Sequence, residues 1–325
     1  MLDQRKFIAL FDPLYSDIRP EHQFNVARPL LAHYTSMDVL EKIVTNNELW
    51  FSNPLFMNDL EELRFGILKG VQSIRESGAL KIALGSEARW EVFLKSLDHY
   101  FREFEENHAF DTYVFCASQH DPNDNDGVLS MWRSYGGSGN GVAVVIDTAQ
   151  LNVASPSTPL VLSKVVYAST QQRELRLREY CEQAAAIISA NQVPEDQIHL
   201  VSFALFDRIK LFALFAKHKG FEEEHEWRAV YRHEVDFDKR YEPMFGYSLS
   251  SRGVEPKLKF RVSPVHGVTA DDLSLEKIVN RIVLGPTTSS MLSHKSVVRM
   301  LNLLKHPLLA DRVVASTIPL RPLAS

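Results

Sequence analysis

The stretch Leu31-Ala-His33-Tyr34-Thr35-Ser36, continuing through Met37 to Leu49 and ending in Trp50-Phe51-Ser52-Asn53-Pro54, decides the fold. Apolar residues in its middle part recur at the period of one helix face, and its two ends are rich in residues that favour strands. The stretch therefore predicts a strand, a helix of about three turns and a second strand. The junction between the first strand and the helix carries His33 and Thr35, beside N–H groups that favour anionic ligands.

The ends of this helix are marked by polar residues. Thr35 and Asp38 have the spacing of a capping box, in which two side chains satisfy N–H groups at the helix start. Asn46 and Asn47 are the expected stop, because asparagine tolerates the left-handed conformation that ends many helices.

The composition is that of an ordinary globular protein. The chain has 325 residues, of which 45% are hydrophobic, 24% charged and 10% aromatic, and this excludes a largely disordered chain. The net charge of -5 weighs against a dedicated nucleic-acid-binding protein. The length allows one large domain or two.

Cysteine usage and hydropathy bear on the compartment. Cys116 and Cys181 are too few for a disulfide framework or a four-cysteine zinc site, and they fit a reducing environment without disulfides. The N-terminal residues lack the apolar core of a signal peptide. The most hydrophobic stretch, Phe203 to Phe215, is interrupted by charged residues, so we expect a buried helix, no membrane span and a cytoplasmic location.

The order of strand and helix patterns predicts an α+β fold with a mixed, mainly antiparallel sheet. No repeat, low-complexity segment or linker marks a boundary, so 1–325 is expected to form a single domain. The expected core strands lie near 31–54, 112–147, 160–167, 225–235 and 257–285, with helical insertions at 60–110 and 171–220.

Glu224-x-Glu226-x-Arg228 is the sharpest local pattern. Strand alternation predicts all three side chains on one face, with the two carboxylates roughly 7 Å apart along the strand. Like charges this close raise the pKa of one carboxyl unless a cation such as Arg228 offsets them. An exposed Glu–Arg pair of little energetic consequence is the simpler interpretation of the same pattern.

Motifs spread along the chain are similar to those of a bacterial family of unknown function. The chain has each element of that family's pattern: His33-Tyr34-Thr35, Leu49 to Pro54, Asn58-Asp59 with Glu61, Trp132 to Gly136, Glu224 to Arg228, and Ile282 to Pro286. The first and fifth elements also resemble the ADP-ribosyltransferase superfamily, in which a strand carries His-x-Ser/Thr and a late strand carries Glu-x-Glu. That resemblance implies an ADP-ribosyltransferase-like core, with NAD as substrate and no metal.

The resemblance also implies roles for individual residues. Glu226 would accept a hydrogen bond from the nicotinamide ribose and stabilise an oxocarbenium-like transition state, and Glu224 would orient or deprotonate the acceptor. The residues expected to contact NAD are His33 at the ribose, Tyr34 at the nicotinamide amide through its backbone, Thr35, Ser52 beside Phe51, Arg228, and Trp132 or Tyr135 as the stacking aromatic. The expected activity is ADP-ribosyl transfer to an unspecified macromolecule or small molecule, or NAD hydrolysis.

Two other functions remain open. In a Mg²⁺-dependent nuclease or phosphodiesterase, Asp59, Glu224 and Glu226 would bind the metal, and Lys217 or Arg228 would bind a phosphate. In a non-catalytic binding or sensor module of a bacterial defence or toxin system, Trp132, Arg133 and the Glu224–Arg228 segment would be structural, as a buried Arg–Glu network holding the sheet.

Overall fold

A computed structural model describes residues 4–18, 27–57, 60–136, 140–151, 158–250 and 253–319. The chain divides into two compact units. The helical unit is drawn from residues 1–23, 53–112 and 163–222, and the sheet unit from 24–52, 113–162 and 223–325. The predicted helical insertions at 60–110 and 171–220 fall entirely in the helical unit. The assignment of 1–325 to one domain stays a prediction.

Helices and strands alternate irregularly along the chain. The helices are α1 Gln4–Ala9, α2 Met37–Asn46, α3 Leu60–Arg75, α4 Gly78–Leu84, α5 Glu87–Glu103, α6 Leu129–Tyr135, α7 Thr170–Ala190, α8 Ile198–Phe215, α9 Leu275–Ile278, α10 Met291–Leu303 and α11 Pro307–Ala310. The strands are β1 Leu30–Ser36, β2 Glu48–Ser52, β3 Tyr113–His120, β4 Gly141–Asp147, β5 Leu160–Lys164, β6 Val166–Ala168, β7 Ala216–His218, β8 Glu226–Tyr231, β9 Phe245–Ser250, β10 Gly253–Arg261, β11 Val279–Leu284 and β12 Val313–Ala315.

A mainly antiparallel sheet forms the sheet unit, with the strand order β12-β11-β4-β1-β3-β2-β10-β9. Strand β8 pairs with β3 along 113–118, and β5 pairs with β8. Strands β1 and β2 share the other edge of β3: β1 pairs there as far as Ala32 with Ser118, and β2 joins at Ser52 with Val114. The sheet therefore splits between β1 and β2. The predicted α+β class is confirmed.

The predicted β1–α2–β2 order is confirmed, with one correction at the helix start. Helix α2 begins at Met37 with Ser36 as its N-cap, and no side chain caps the backbone there. The predicted Thr35–Asp38 capping box is wrong, because β1 continues through Thr35 and the Asp38 carboxylate accepts from the Ser36 hydroxyl instead. The predicted stop is correct: Asn47 has φ 54° and ψ 47°.

The hydrophobic core of the sheet unit lies on both faces of the sheet. Helices α2 and α10 cover one face, where the apolar side of α2 packs as predicted through Leu40, Ile43 and Val44. Helix α6 covers part of the other face, where Met131 and Trp132 pack on alternate residues of β1 and β4. Because both faces of the sheet are covered here, the side chains of β4 are buried on both sides. This explains its continuous run of apolar residues.

Helix α8 is buried on all sides in the helical unit, as its hydrophobic sequence predicts. Its charged Arg208 is fully buried and donates from Nε to the Leu14 carbonyl and from Nη2 to the Asp17 carboxylate, both at 2.6 Å. Among the described residues, no helix combines the length and the apolar character needed to cross a membrane. Cys116 and Cys181 are both free thiols.

Candidate functional site

The two faces of the sheet separate the predicted site residues. Directly paired residues of antiparallel strands point to the same face, and Ser118 pairs both with Ala32 of β1 and with Glu226 of β8. Tyr34, two residues after Ala32, therefore shares a face with Glu226, whereas His33 lies on the opposite face. We call these the Glu226 face and the His33 face. Arg228 and Ser52 belong to the Glu226 face, and Thr35 to the His33 face.

Glu226 and Arg228 form an ion pair with two hydrogen bonds on the Glu226 face. The Arg228 guanidinium donates from Nε to Oε1 of Glu226 at 2.8 Å and from Nη2 to Oε2 at 3.0 Å. Each residue is only 5% exposed. Parallel N–H···O bonds of this kind are among the strongest that side chains make, and they engage both carboxylate oxygens.

Glu224 does not share this strand face, which corrects the prediction. It is half-buried at the end of a 3-10 turn, Lys219–Glu224, and β8 begins only at Glu226. His225 between them has φ 42°, a left-handed conformation that breaks the strand alternation. The two carboxylates are therefore not neighbours along one strand.

His33 bridges β1 and β3 by a side-chain hydrogen bond at the point where the two strands separate. Its Nδ1 lies 2.9 Å from the carbonyl oxygen of Cys116 in β3, just beyond the last residue with which β1 pairs. A carbonyl only accepts, so Nδ1 carries the proton and Nε2 has the lone pair. The ring stacks on Phe115 with centroids 4.6 Å apart. Burial lowers the pKa of His33, and the bond to Cys116 offsets this only in part. The imidazole is thus neutral at pH 7.

Tyr34 and Trp132 form a buried aromatic pair on the Glu226 face, with ring centroids 4.7 Å apart. The Tyr34 hydroxyl accepts from the Val128 N–H at 2.9 Å, and Trp132 Nε1 donates to the Asp126 carbonyl at 2.8 Å. Burial raises the pKa of Tyr34 to about 12, so this hydroxyl is not a base at neutral pH. Both rings hold the loop that leads into α6.

Gly141 at the start of β4 and Gly285 of the Ile282–Pro286 motif meet at the Trp132 indole. A Cβ atom at Gly141 would lie 3.2 Å from the indole, and one at Gly285 would lie 3.0 Å from it. The Gly285 N–H donates to the Gly141 carbonyl at 2.9 Å. The Trp132–Gly136 and Ile282–Pro286 motifs therefore converge because one indole needs glycine beside it. Tyr135 of the same helix is 42% exposed, and Arg133 is also exposed.

Ser52 has a cationic partner that sequence reasoning did not identify. Lys257 of β10 pairs with Ser52 in the ladder and donates from Nζ to its hydroxyl at 2.9 Å and to Glu255 at 3.2 Å. Lys257 is only 9% exposed. Lysine and glutamate alternate here on a strand that the sequence does predict, but nothing local in the sequence indicates the pairing with Ser52.

Two further buried hydroxyls, one of them on the Glu226 face, have no hydrogen-bond partner within the part of the chain that the structure describes. They are Ser118 Oγ, directly across the ladder from Glu226, and Ser130 Oγ on α6. Ser118 is 2% exposed. An unpaired buried hydroxyl costs free energy. A single serine in an apolar strand gives no signal by which the sequence could have identified it.

Within the described ranges, no group of three His, Cys, Asp or Glu side chains lies close enough together to bind a metal ion. Asp59, which the Mg²⁺-dependent alternative requires, lies outside the described residues together with Asn58. The metal-dependent function stays a prediction.

The His33 face contains a cavity of ≈ 150 Å³ within the sheet unit. Four rings line it, those of Phe51, Phe115, Tyr241 and Phe260, and most of its other lining residues are aliphatic. No sequence motif indicated it, because its lining comes from many separate strands and loops.

The comparisons with known proteins identify one family. A family model described as Protein of unknown function (DUF2971) matches residues 131–229, from α6 to β8, and includes Trp132, Glu226 and Arg228. The chain is thus similar to a family of unknown function over this stretch, which confirms that part of the prediction. No curated protein and no solved structure matches the chain. The resemblance to ADP-ribosyltransferases stays a prediction.

We expect Glu226→Gln to lower the free energy of unfolding by about 3 to 5 kcal/mol, because it removes the carboxylate charge that both guanidinium bonds of the buried Arg228 reach. Urea denaturation measures the loss. Glu242→Gln is the matched control, since its pair with Lys239 at 3.6 Å is at least half-exposed and should contribute less than about 1 kcal/mol. Equal losses of stability in the two variants would show that the buried Glu226–Arg228 pair stabilises the fold no more than an exposed pair does.

We expect His33→Gln to reduce the acid sensitivity of folding. Burial holds the folded-state pKa of His33 below its ordinary 6.5, so its contribution to stability is complete above pH 6.5 and declines as the pH falls from there to the lowered pKa. Glutamine keeps a donor for Cys116 but does not titrate. Urea midpoints from pH 7.5 to 5 test this, with the exposed His266→Gln as control. A slope as steep as in wild type would rule out the assignment.

We expect Gly285→Ala to destabilise the sheet unit by about 1 to 3 kcal/mol, because the added methyl group meets the indole of Trp132 and the Gly141 carbonyl, both at 3.0 Å. Thermal denaturation measures the change. Gly78→Ala is the control: a Cβ atom there meets nothing within 4 Å, and the loss of backbone freedom in the unfolded chain should make it neutral or stabilising. A neutral Gly285→Ala would show that the indole is not tightly held.

Proposed function

We propose that this chain is a non-catalytic recognition module that binds a ligand without transforming it. The observation that supports this function is the Glu226–Arg228 pair. A carboxylate that stabilises an oxocarbenium-like transition state acts through its negative charge. The guanidinium bound to both oxygens of Glu226 offsets that charge at contact distance, so the pair is better suited to holding the sheet than to catalysis.

The distribution of residues over the two faces supports the same proposal. ADP-ribosyl transfer, as the resemblance implies it, requires the residue types of His33 and Glu226 at one NAD molecule. Here the ladders through Ser118 assign these two side chains to opposite faces. The imidazole of His33 instead supports β3 at the split, and the Tyr34 hydroxyl supports the loop before α6.

NAD-dependent ADP-ribosyl transfer, or NAD hydrolysis, is the second candidate. The specific observation in its favour is the Ser118 hydroxyl, buried directly across from Glu226 with no partner in the described chain. A sugar hydroxyl or an amide of a polar ligand would satisfy it. In this proposal Glu226, Ser118 and Ser52 act from the Glu226 face, and His33 and Thr35 have no contact with NAD.

Nicotinamide release from NAD, measured by chromatography without added metal, separates the two candidates. For a recognition module we expect no release above the buffer rate, and no thermal shift with NAD. For the second candidate we expect release by wild type and at least a tenfold loss in Ser118→Ala. This variant should fold well, because it removes an unpaired buried hydroxyl.

Ser96→Ala is the matched control, since Ser96 is half-buried on α5 and its hydroxyl donates to the Val92 carbonyl of the same helix. Glu226→Gln is measured in parallel, with its melting curve. Release by wild type that disappears in a folded Glu226→Gln protein would overturn the recognition proposal. Absence of both release and thermal shift would overturn the NAD proposal.

A further inference from the structure

We infer that the cavity on the His33 face is a binding site for a small, uncharged apolar molecule, either a single aromatic ring or a short aliphatic chain. This inference rests on the proposed recognition function, for which it names the ligand class. The cavity volume of ≈ 150 Å³ suits a ligand of roughly six to ten non-hydrogen atoms, because apolar cavities of this volume admit benzene-sized molecules.

The rings around the cavity form a connected aromatic wall. Phe51 contacts Phe115 and Phe260, with centroids 5.4 and 6.0 Å apart, and Phe260 contacts Tyr241 at 6.3 Å. These distances lie in the range of favourable edge-to-face and offset contacts. Phe51, Phe115 and Phe260 belong to β2, β3 and β10, and Tyr241 lies in the loop before β9. The wall therefore joins three strands of the sheet and one loop.

The polar groups of the lining already have partners inside the protein. The Thr148 hydroxyl donates to the Pro29 carbonyl and the Thr269 hydroxyl to the Ser263 carbonyl, each at 2.6 Å. The hydroxyls of Thr158 and Tyr241 face each other at 3.4 Å. A charged ligand would lose its hydration here without gaining a counter-charge from the lining. The lining therefore selects an uncharged apolar molecule.

One end of the cavity is closer to solvent than the rest. Phe51, Phe115 and Tyr241 are buried, whereas Thr158 and the segment 268–270 are half-exposed. A ligand would enter between these half-exposed residues and lie against the rings. Ala229 of β8 lines the same space with a short side chain, so a larger residue there would project into the cavity.

Fluorine NMR of fluorobenzene with the full-length protein tests the site. We expect saturable broadening with wild type, displacement by toluene, and no binding of 4-fluorobenzoate, which has the same ring and a charge. Ala229→Leu should weaken fluorobenzene binding at least tenfold. Ala88→Leu, a matched change at an exposed position of α5, should leave it unchanged.

If Ala229→Leu does not unfold cooperatively, Ala270→Leu fills the same cavity from a loop and replaces it. Absence of saturable binding to wild type, equal binding of 4-fluorobenzoate, or unchanged affinity in a folded cavity-filling variant would each overturn the inference. The readout is independent of NAD. If fluorobenzene does not bind and no nicotinamide is released, only the inferred cavity site is contradicted. If nicotinamide is released, the proposed recognition function is contradicted.

Discussion

Side-chain alternation along β3 is the constraint on which the rest of the sheet unit depends. This strand forms ladders with β1, β2 and β8, and the register of each ladder assigns the partner's side chains to one face or the other. A shift of one residue in the β3–β8 register would exchange Glu226 and Trp227 between the faces. The charges of Glu226 and Arg228 oppose such a shift. The shift would place both charged groups in the apolar core that Trp227 now occupies.

Packing and hydrogen bonding within each unit explain several of the sequence motifs. Gly285 of one motif lies against the indole of Trp132 from another, and Tyr34 of a further motif supports the loop before α6. In a fourth motif, the side-chain amide of Asn53 donates to three backbone carbonyls in 109–112 and accepts from the Leu55 N–H. These bonds hold the start of the segment 53–112 against its end. Chemically suggestive residues can thus recur together because they solve packing and hydrogen-bonding problems, as well as because they react.

Local patterns predicted the order of the first elements correctly but not the cap of α2, and long-range register limited the prediction of the site. The β1–α2–β2 order and the stop at Asn47 follow from periodicity and from one residue's backbone preference. The strand break at His225 was not predictable, since a positive φ at histidine has no distinct local signal. The separation of His33 from Glu226 depends on two ladders that join residues far apart in the chain. The Lys257–Ser52 contact and the cavity lining depend on tertiary packing in the same way.

The place of β8 in the chain has a consequence for biosynthesis. Strand β3 ends at His120, and its partner begins only at Glu226. At ordinary rates of translation the intervening residues take roughly 5 to 20 s to emerge, long after β1 and β3 are available to pair. During that interval one edge of β3 is unpaired on the ribosome, and an unpaired edge can template contact with another chain. Arrival of the Glu226–Arg228 segment closes that edge, so this charged pair is completed late in the assembly of the sheet.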